Sequence, residues 1–149
     1  MALSQNARFS GDAVPDAEFE HPLGASTARL LRDALAKRGW DVSDIDNWRD
    51  GGWSITCCRP TSKLELVIAK MDVGEEWFLQ ITPSYVPGLV GWFLTKPAST
   101  LPEAVQALAQ DAFEALSESG RFGNFMWCWD GPPDEVNSTP EPIPARGSS

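Results

Sequence analysis

A chain of 149 residues, 42% hydrophobic and 22% charged, has the size and make-up of a single globular domain able to bury a core. Its net charge of −9 opposes binding to nucleic acid or an anionic membrane, and no uninterrupted apolar run approaches the ~20 residues of a membrane span. Three cysteines, an odd number with neighbours Cys57 and Cys58 on opposite faces of an expected strand, argue against a disulfide framework, and no signal-peptide pattern opens the chain, so a cytoplasmic location is the expectation.

Residues 1–22 are polar and acidic and read as a mostly irregular arm, tacked down by Phe9, Val14 and Phe19. A first helix is expected from Ser26 to Arg38, because Thr27, Leu30, Leu31, Ala34 and Leu35 recur at the three-four spacing of one face. Ser26 is its expected N-cap and Gly39 its left-handed C-terminal residue. Its outer side is basic, carrying Arg29, Arg32, Lys37 and Arg38.

The next stretch, W-D-V-S-D-I-D-N-W-R-D-G-G, is rich in aspartate but does not fit a calcium loop. Counting from Asp46 puts Trp48 at the third ligand position and Cys57 at the twelfth, where oxygen donors are required. It reads instead as a polar turn, or a short edge strand through Val42 and Ile45.

Three strands then alternate cleanly. Trp53, Ile55 and Cys57 share one face, as do Leu64, Leu66 and Ile68, and then Trp77, Leu79 and Ile81. Short links between them imply an antiparallel meander. A further strand is expected at 89–94, between Pro87 and Pro97.

The second helix has a capping box, Thr100-Leu101-Pro102-Glu103, and ends at Gly120. Leu101, Val105, Leu108, Ala109, Ala112, Phe113 and Leu116 form its apolar stripe, and Asp111, Glu114 and Glu118 lie on the other side. The last strand, within 121–130, carries Phe125, Trp127 and Trp129 on one face and Phe122, Met126 and Cys128 on the other. Large rings suit the deeper layer, so the first set is assigned beneath the helices. Residues 131–149, with Pro132, Pro133, Pro140, Pro142 and Pro144, read as a disordered or extended tail.

The expected fold is therefore α+β: an antiparallel β-sheet of four to five strands in a meander, two α-helices packed side by side on one face, in the order α-β-β-β-β-α-β. Residues 23–130 form the single domain.

Catalytic chemistry has little to build on. His21 is the only histidine, and Cys57, Cys58 and Cys128 all fall inside strands, where free cysteine commonly acts as a small hydrophobe. One histidine and scattered cysteines do not supply a zinc set, no glycine-rich loop cradles phosphate, and no cofactor is expected. Seven Trp against one Tyr is the unusual feature, and they cannot all lie on one buried stripe. Exposed aromatics anchor protein interfaces, so Trp48, Tyr85 and Trp92 are candidate binding residues, with Glu114 and Glu118 supplying acidic steering. The expected function is a non-enzymatic binding protein acting stoichiometrically on a protein partner, basic in character. Immunity proteins and secretion chaperones offer a comparison by class alone. The alternatives are a small-ligand binder or minor enzyme with a Trp-lined pocket between sheet and arm, and a homodimer through the uncovered sheet face.

Overall fold

The computed structural model describes residues 4–11, 24–60, 62–71, 76–83, 101–131, 133–134 and 136–144. These form strand β1 (Gln5–Gly11), helix α1 (Ala25–Lys37), strands β2 (Asp41–Val42), β3 (Asp46–Trp48), β4 (Gly52–Arg59), β5 (Ser62–Lys70) and β6 (Glu76–Pro83), helix α2 (Leu101–Glu118) and strand β7 (Phe122–Trp129). The fold is α+β. Its antiparallel sheet runs β2-β4-β5-β6-β1-β7, with β3 also pairing β4.

The meander β4-β5-β6 forms as its alternation demands. Ile55 lies opposite Leu66, and Leu66 opposite Ile81, so one parity of all three strands meets the helices. Ile55, Cys57, Leu64, Leu66, Ile68, Trp77, Leu79 and Ile81 are fully buried there, beneath Leu31 and Leu35 of α1 and Val105, Leu108, Ala112 and Leu116 of α2. Each such side chain removed from water contributes about 1.5–3 kcal/mol.

Two expectations are corrected by the strand count and order. The arm is not irregular over its first part: β1 pairs β6 on one side and β7 on the other. Ala7 and Phe9 face the helices from this strand, and the polar letters that hid it, Gln5, Asn6, Arg8 and Ser10, donate side-chain hydrogen bonds to neighbouring strands and the tail. The aspartate-rich stretch holds two short strands, not one. They are separated at Ser43, whose N–H donates to the Thr56 carbonyl while its hydroxyl accepts from the Thr56 N–H. The strand expected at 89–94, the capping residue Thr100 and residues 12–23 of the arm lie outside the described residues.

Helix α1 begins at Gly24, which adopts φ 105° and makes no side-chain cap, in place of the expected Ser26. A Cβ on Gly24 would stand 3.0 Å from the Trp77 ring, so the helix start rests directly on that indole. Gly39 is left-handed at φ 95°, as the end of α1 requires. Arg38 at that end lies 2.9 Å from Glu118 at the end of α2, which places the two helices beside each other.

Strand β7 carries a bulge that the letters do not announce. Arg8 pairs with Met126 but Ser10 pairs with Gly123, so Asn124 and Phe125 together oppose Phe9. Asn124 sits at φ 57°, a region that asparagine tolerates, and its amide donates to the Ser10 hydroxyl at 2.9 Å. The extra residue switches the parity. Phe122, expected opposite to Phe125, turns to the same side and meets Phe9 and Trp77 edge-on, with ring centroids at 5.4 and 5.6 Å. Phe125 and Trp127 lie beneath α2 as expected, both edge-on to Phe113.

Candidate interaction surfaces

The helix-free face of the sheet is the first candidate. Register builds it in rows. Met126, Arg8, Phe78 and Ala69 lie side by side across β7, β1, β6 and β5. The next row is Cys128, Asn6, Gln80, Val67 and Ser54, and the one after it Thr82, Glu65 and Thr56. Apolar Phe78, Ala69 and Val67 thus occupy the middle, inside a border of Ser10, Glu76, Glu65, Thr82, Thr56 and Ser54, and Met126 stands beyond Arg8 on the edge strand β7. Arg8 bonds Glu76 at 2.6 Å across this face, with the two side chains 39% and 41% exposed. Phe78, Met126 and Ala69 are half-buried. No described helix packs on this side.

A second cluster joins the helices to the end of β4. Trp40, 3% exposed, donates its indole N–H to Asp111 Oδ2 at 2.8 Å. The Arg59 guanidinium lies 3.9 Å over the same indole and reaches both Asp111 Oδ2 at 3.4 Å and the Arg38 carbonyl at 3.3 Å. Arg38 in turn bonds Glu118 and lies 4.0 Å from Glu114. The Glu118 hydrogen bond is the largest influence pushing the Arg38 guanidinium further up. A ring face beneath a cation and an N–H beside a carboxylate satisfy each group in this knot.

The described candidate residues fall in two places. Glu114 and Glu118 stand in this cluster, where both already face Arg38 of their own chain. Trp48 is half-buried on β3, opposite Gly52 at the start of β4, with Arg49 5.2 Å over its ring. The length of β4, roughly 20 Å, separates it from Arg59 and the two glutamates. Tyr85 and Trp92 lie outside the described residues, as does His21. Sequence reasoning missed Trp40 and Asp111 as partners, since Asp111 sits on the polar side of α2 and only the helix packing turns it toward β4. It foresaw an uncovered sheet face, with Met126 and Cys128 on it, only as a homodimer surface, and missed the column that β1 inserts between β6 and β7.

Burial holds Cys57 protonated, pushing its thiol up to about 12, and Cys58 beside it acts in the same direction. Burial also raises Cys128, whose Sγ–H points at the Gly131 carbonyl at 2.9 Å. Among the described residues, no three His, Cys, Asp or Glu side chains gather as metal ligands would. No described helix is long and apolar enough to cross a membrane.

The tail forms a third feature. Its described part, expected to be disordered or extended, follows a defined path around the β7 edge. The Gly131 carbonyl accepts from Asn6 Nδ2 and from Cys128 Sγ, both at 2.9 Å, on the helix-free face. Asp134 then takes the N–H groups of Val136 and Asn137 at 2.9 and 2.7 Å, closing a turn. Thr139 exchanges both backbone bonds with Trp127, at 2.8 and 2.9 Å. Finally, the Ile143 carbonyl accepts from Trp129 Nε1 at 2.8 Å and Gln5 Nε2 at 3.4 Å on the helix side.

Comparisons with protein-family models, with curated proteins and with solved structures give no match to this chain.

Proposed function

We propose that this chain is a stoichiometric binding protein for a protein partner of basic character, and that the helix-free sheet face receives it. The observation that carries this reading is the layout of that face: a half-buried apolar row through Met126, Phe78 and Ala69, interrupted by the Arg8–Glu76 ion pair and bordered by hydroxyls, Gln80 and Glu65. An apolar centre with a polar rim is the anatomy of a protein interface. The net charge of −9 supports a basic partner, since long-range attraction raises the association rate and fades with salt. A cytoplasmic location without cofactor belongs to the same reading, as does a function that is not catalytic. Trp48 is retained as a peripheral anchor on β3. Glu114 and Glu118 are assigned to long-range steering, because Arg38 occupies their near contacts.

The test is co-purification from native lysate, followed by titration of the identified partner against variants. Phe78→Glu is expected to weaken binding at least about thirtyfold, the size of an interface hot spot. Raising salt is expected to slow association with little effect on dissociation. Full binding by Phe78→Glu, with loss on Trp48→Ala, would move the interface to β3 and defeat the assignment of the sheet face.

A further inference from the structure

The path of the C-terminal segment has the form of a clip. It leaves Gly131 on the helix-free face, touches the rim of the sheet once at Thr139, and closes on Trp129 and Gln5 on the helix side. Pro133 and Pro142, on either side of Thr139 in sequence, are both buried. The rim it covers is β7, at one end of the strand order among the described residues.

An edge strand presents unpaired N–H and C=O groups to any other strand that can reach them. Because Trp127 exchanges its bonds with Thr139, the outward-pointing groups of β7 belong to Phe125, Trp127 and Trp129. The Asp130 N–H, one residue out of that parity, points inward to the Ser4 carbonyl at 2.8 Å. The strand itself, F-G-N-F-M-W-C-W, contains no charge to discourage pairing. Its outward groups are also self-complementary. Antiparallel pairing about a two-fold axis at Trp127 would set Trp127 against Trp127 and Phe125 against Trp129, the isologous arrangement of a symmetric dimer.

The clip blocks this arrangement without extending the sheet. Pro140 follows Thr139 directly, and its nitrogen, which would face outward on a continuing strand, has no hydrogen to offer. The chain then bends, as the Thr139 hydroxyl donates to the Glu141 carbonyl at 2.6 Å, and it leaves the edge. We infer that the segment Gly131–Pro144 is a removable guard on a strand-accepting edge, and that the surface it shields accepts β7 of a second copy of this chain. The guard holds the ladder by one residue pair, with its other ties at the Gly131 and Ile143 carbonyls and the buried Pro133 and Pro142, so paired changes at Thr139 and Pro142 are expected to release it.

The experiment uses the full chain carrying Thr139→Pro and Pro142→Asp. Thr139→Pro removes the N–H given to the Trp127 carbonyl, Pro142→Asp puts a charge where an apolar ring is buried, and neither residue lies in the folded layers. Amide exchange reports release at Trp127, and light scattering reports association across concentration and salt. The expected result is exchange at Trp127 about tenfold faster or more, the equivalent of ~1.4 kcal/mol, with self-association that strengthens as salt screens the repulsion between two chains of charge −9. An unchanged exchange rate at Trp127 would show that these contacts do not hold the guard. Fast exchange in a chain that stays monomeric at every salt concentration would show that the edge needs no guarding. Either outcome overturns the inference.

Discussion

The indole N–H of Trp40 and the carboxylate of Asp111 meet at 2.8 Å, and this one bond joins the end of α1 to the middle of α2. Trp40 is buried and also lies beneath Arg59, so the carboxylate answers both an N–H and a cation. Asp111→Ala strands the indole N–H and leaves Arg59 with the ring and the Arg38 carbonyl but no carboxylate. The expected loss is about 1–3 kcal/mol in urea unfolding, the cost of an unsatisfied buried donor. Asp111→Asn keeps an acceptor and is expected to lose less.

Reversing the two outer charges of α2, Glu114→Lys with Glu118→Lys, sets both against Arg38. Glu118 is 69% exposed, so solvent screens most of the interaction. Stability at low salt is expected to fall by at most about 1 kcal/mol and to recover above about 0.5 M salt. Unfolding midpoints at two ionic strengths decide it; an equal loss at both would assign the effect to packing.

The bulge at Asn124 makes a sharper prediction. A β-branched residue at φ 57° is strained, so Asn124→Val is expected to cost about 1–2 kcal/mol, while Asn124→Gly is close to neutral. The readout besides stability is Phe122. Its edge-on contact with Phe9 and Trp77 depends on the parity switch, so ring-current shifts of Phe122 in the Val variant are expected to collapse.

Cys57 gives a dependence on alkaline pH. Its thiol is raised from 9.0 to about 12 by burial, so the folded state favours the protonated form. That preference is fully present below 9.0 and is lost as pH rises toward 12, because only the unfolded chain gains by ionising. Stability is expected to decline over that window, and less so in Cys57→Ala once corrected for its cavity. In the native protein, Cys57 is expected to resist alkylation at pH 8 and to react on unfolding.

Asp134 gives a dependence on acid pH. Backbone donors, first Asn137 and then Val136, hold its carboxyl below the ordinary range. The turn it closes is therefore at full strength above the unfolded carboxylate value of about 3.9 and weakens as pH falls through the lower folded value. Limited proteolysis between 131 and 144 at descending pH is expected to accelerate there, and Asp134→Ala is expected to be fast throughout.

The parts of this fold that were legible were those where one physical rule acted alone. The meander could be read because Ile55 and Ile81 each stand between polar neighbours, and Leu64 and Leu66 flank Glu65 at the same period of two. The side of Trp127 was legible from ring size. β1 was not, since Gln5, Asn6 and Ser10 look like loop residues until strands on both sides and a folded-back tail supply their partners. Phe122 was misassigned because strict alternation cannot foresee a bulge, and Asn124 shows its purpose only beside Ser10. The path of the tail was not legible from composition: prolines argue against a packed core, but they do not forbid two of them from being seated singly against an edge. For the candidate surfaces, Trp48, Glu114 and Glu118 were separable as residues but not as neighbours, because the distance between β3 and the end of β4 is a property of the sheet.

The position of β1 carries a consequence for how the chain acquires its shape. It is the first described strand in the sequence, but it sits between β6 and β7 in the sheet. During synthesis at 5–20 residues per second, β1 waits roughly ten seconds for its last partner. In that interval β4, β5, β6 and β1 can already pair, leaving the outer edge of β1 without its second neighbour. Contacts this distant in sequence also close slowly, so refolding is expected to be slowest in the closure of β7 onto β1. The β1–β7 end of the sheet is the last part to be completed, and that interval is when the edge of β1 is open to mispairing.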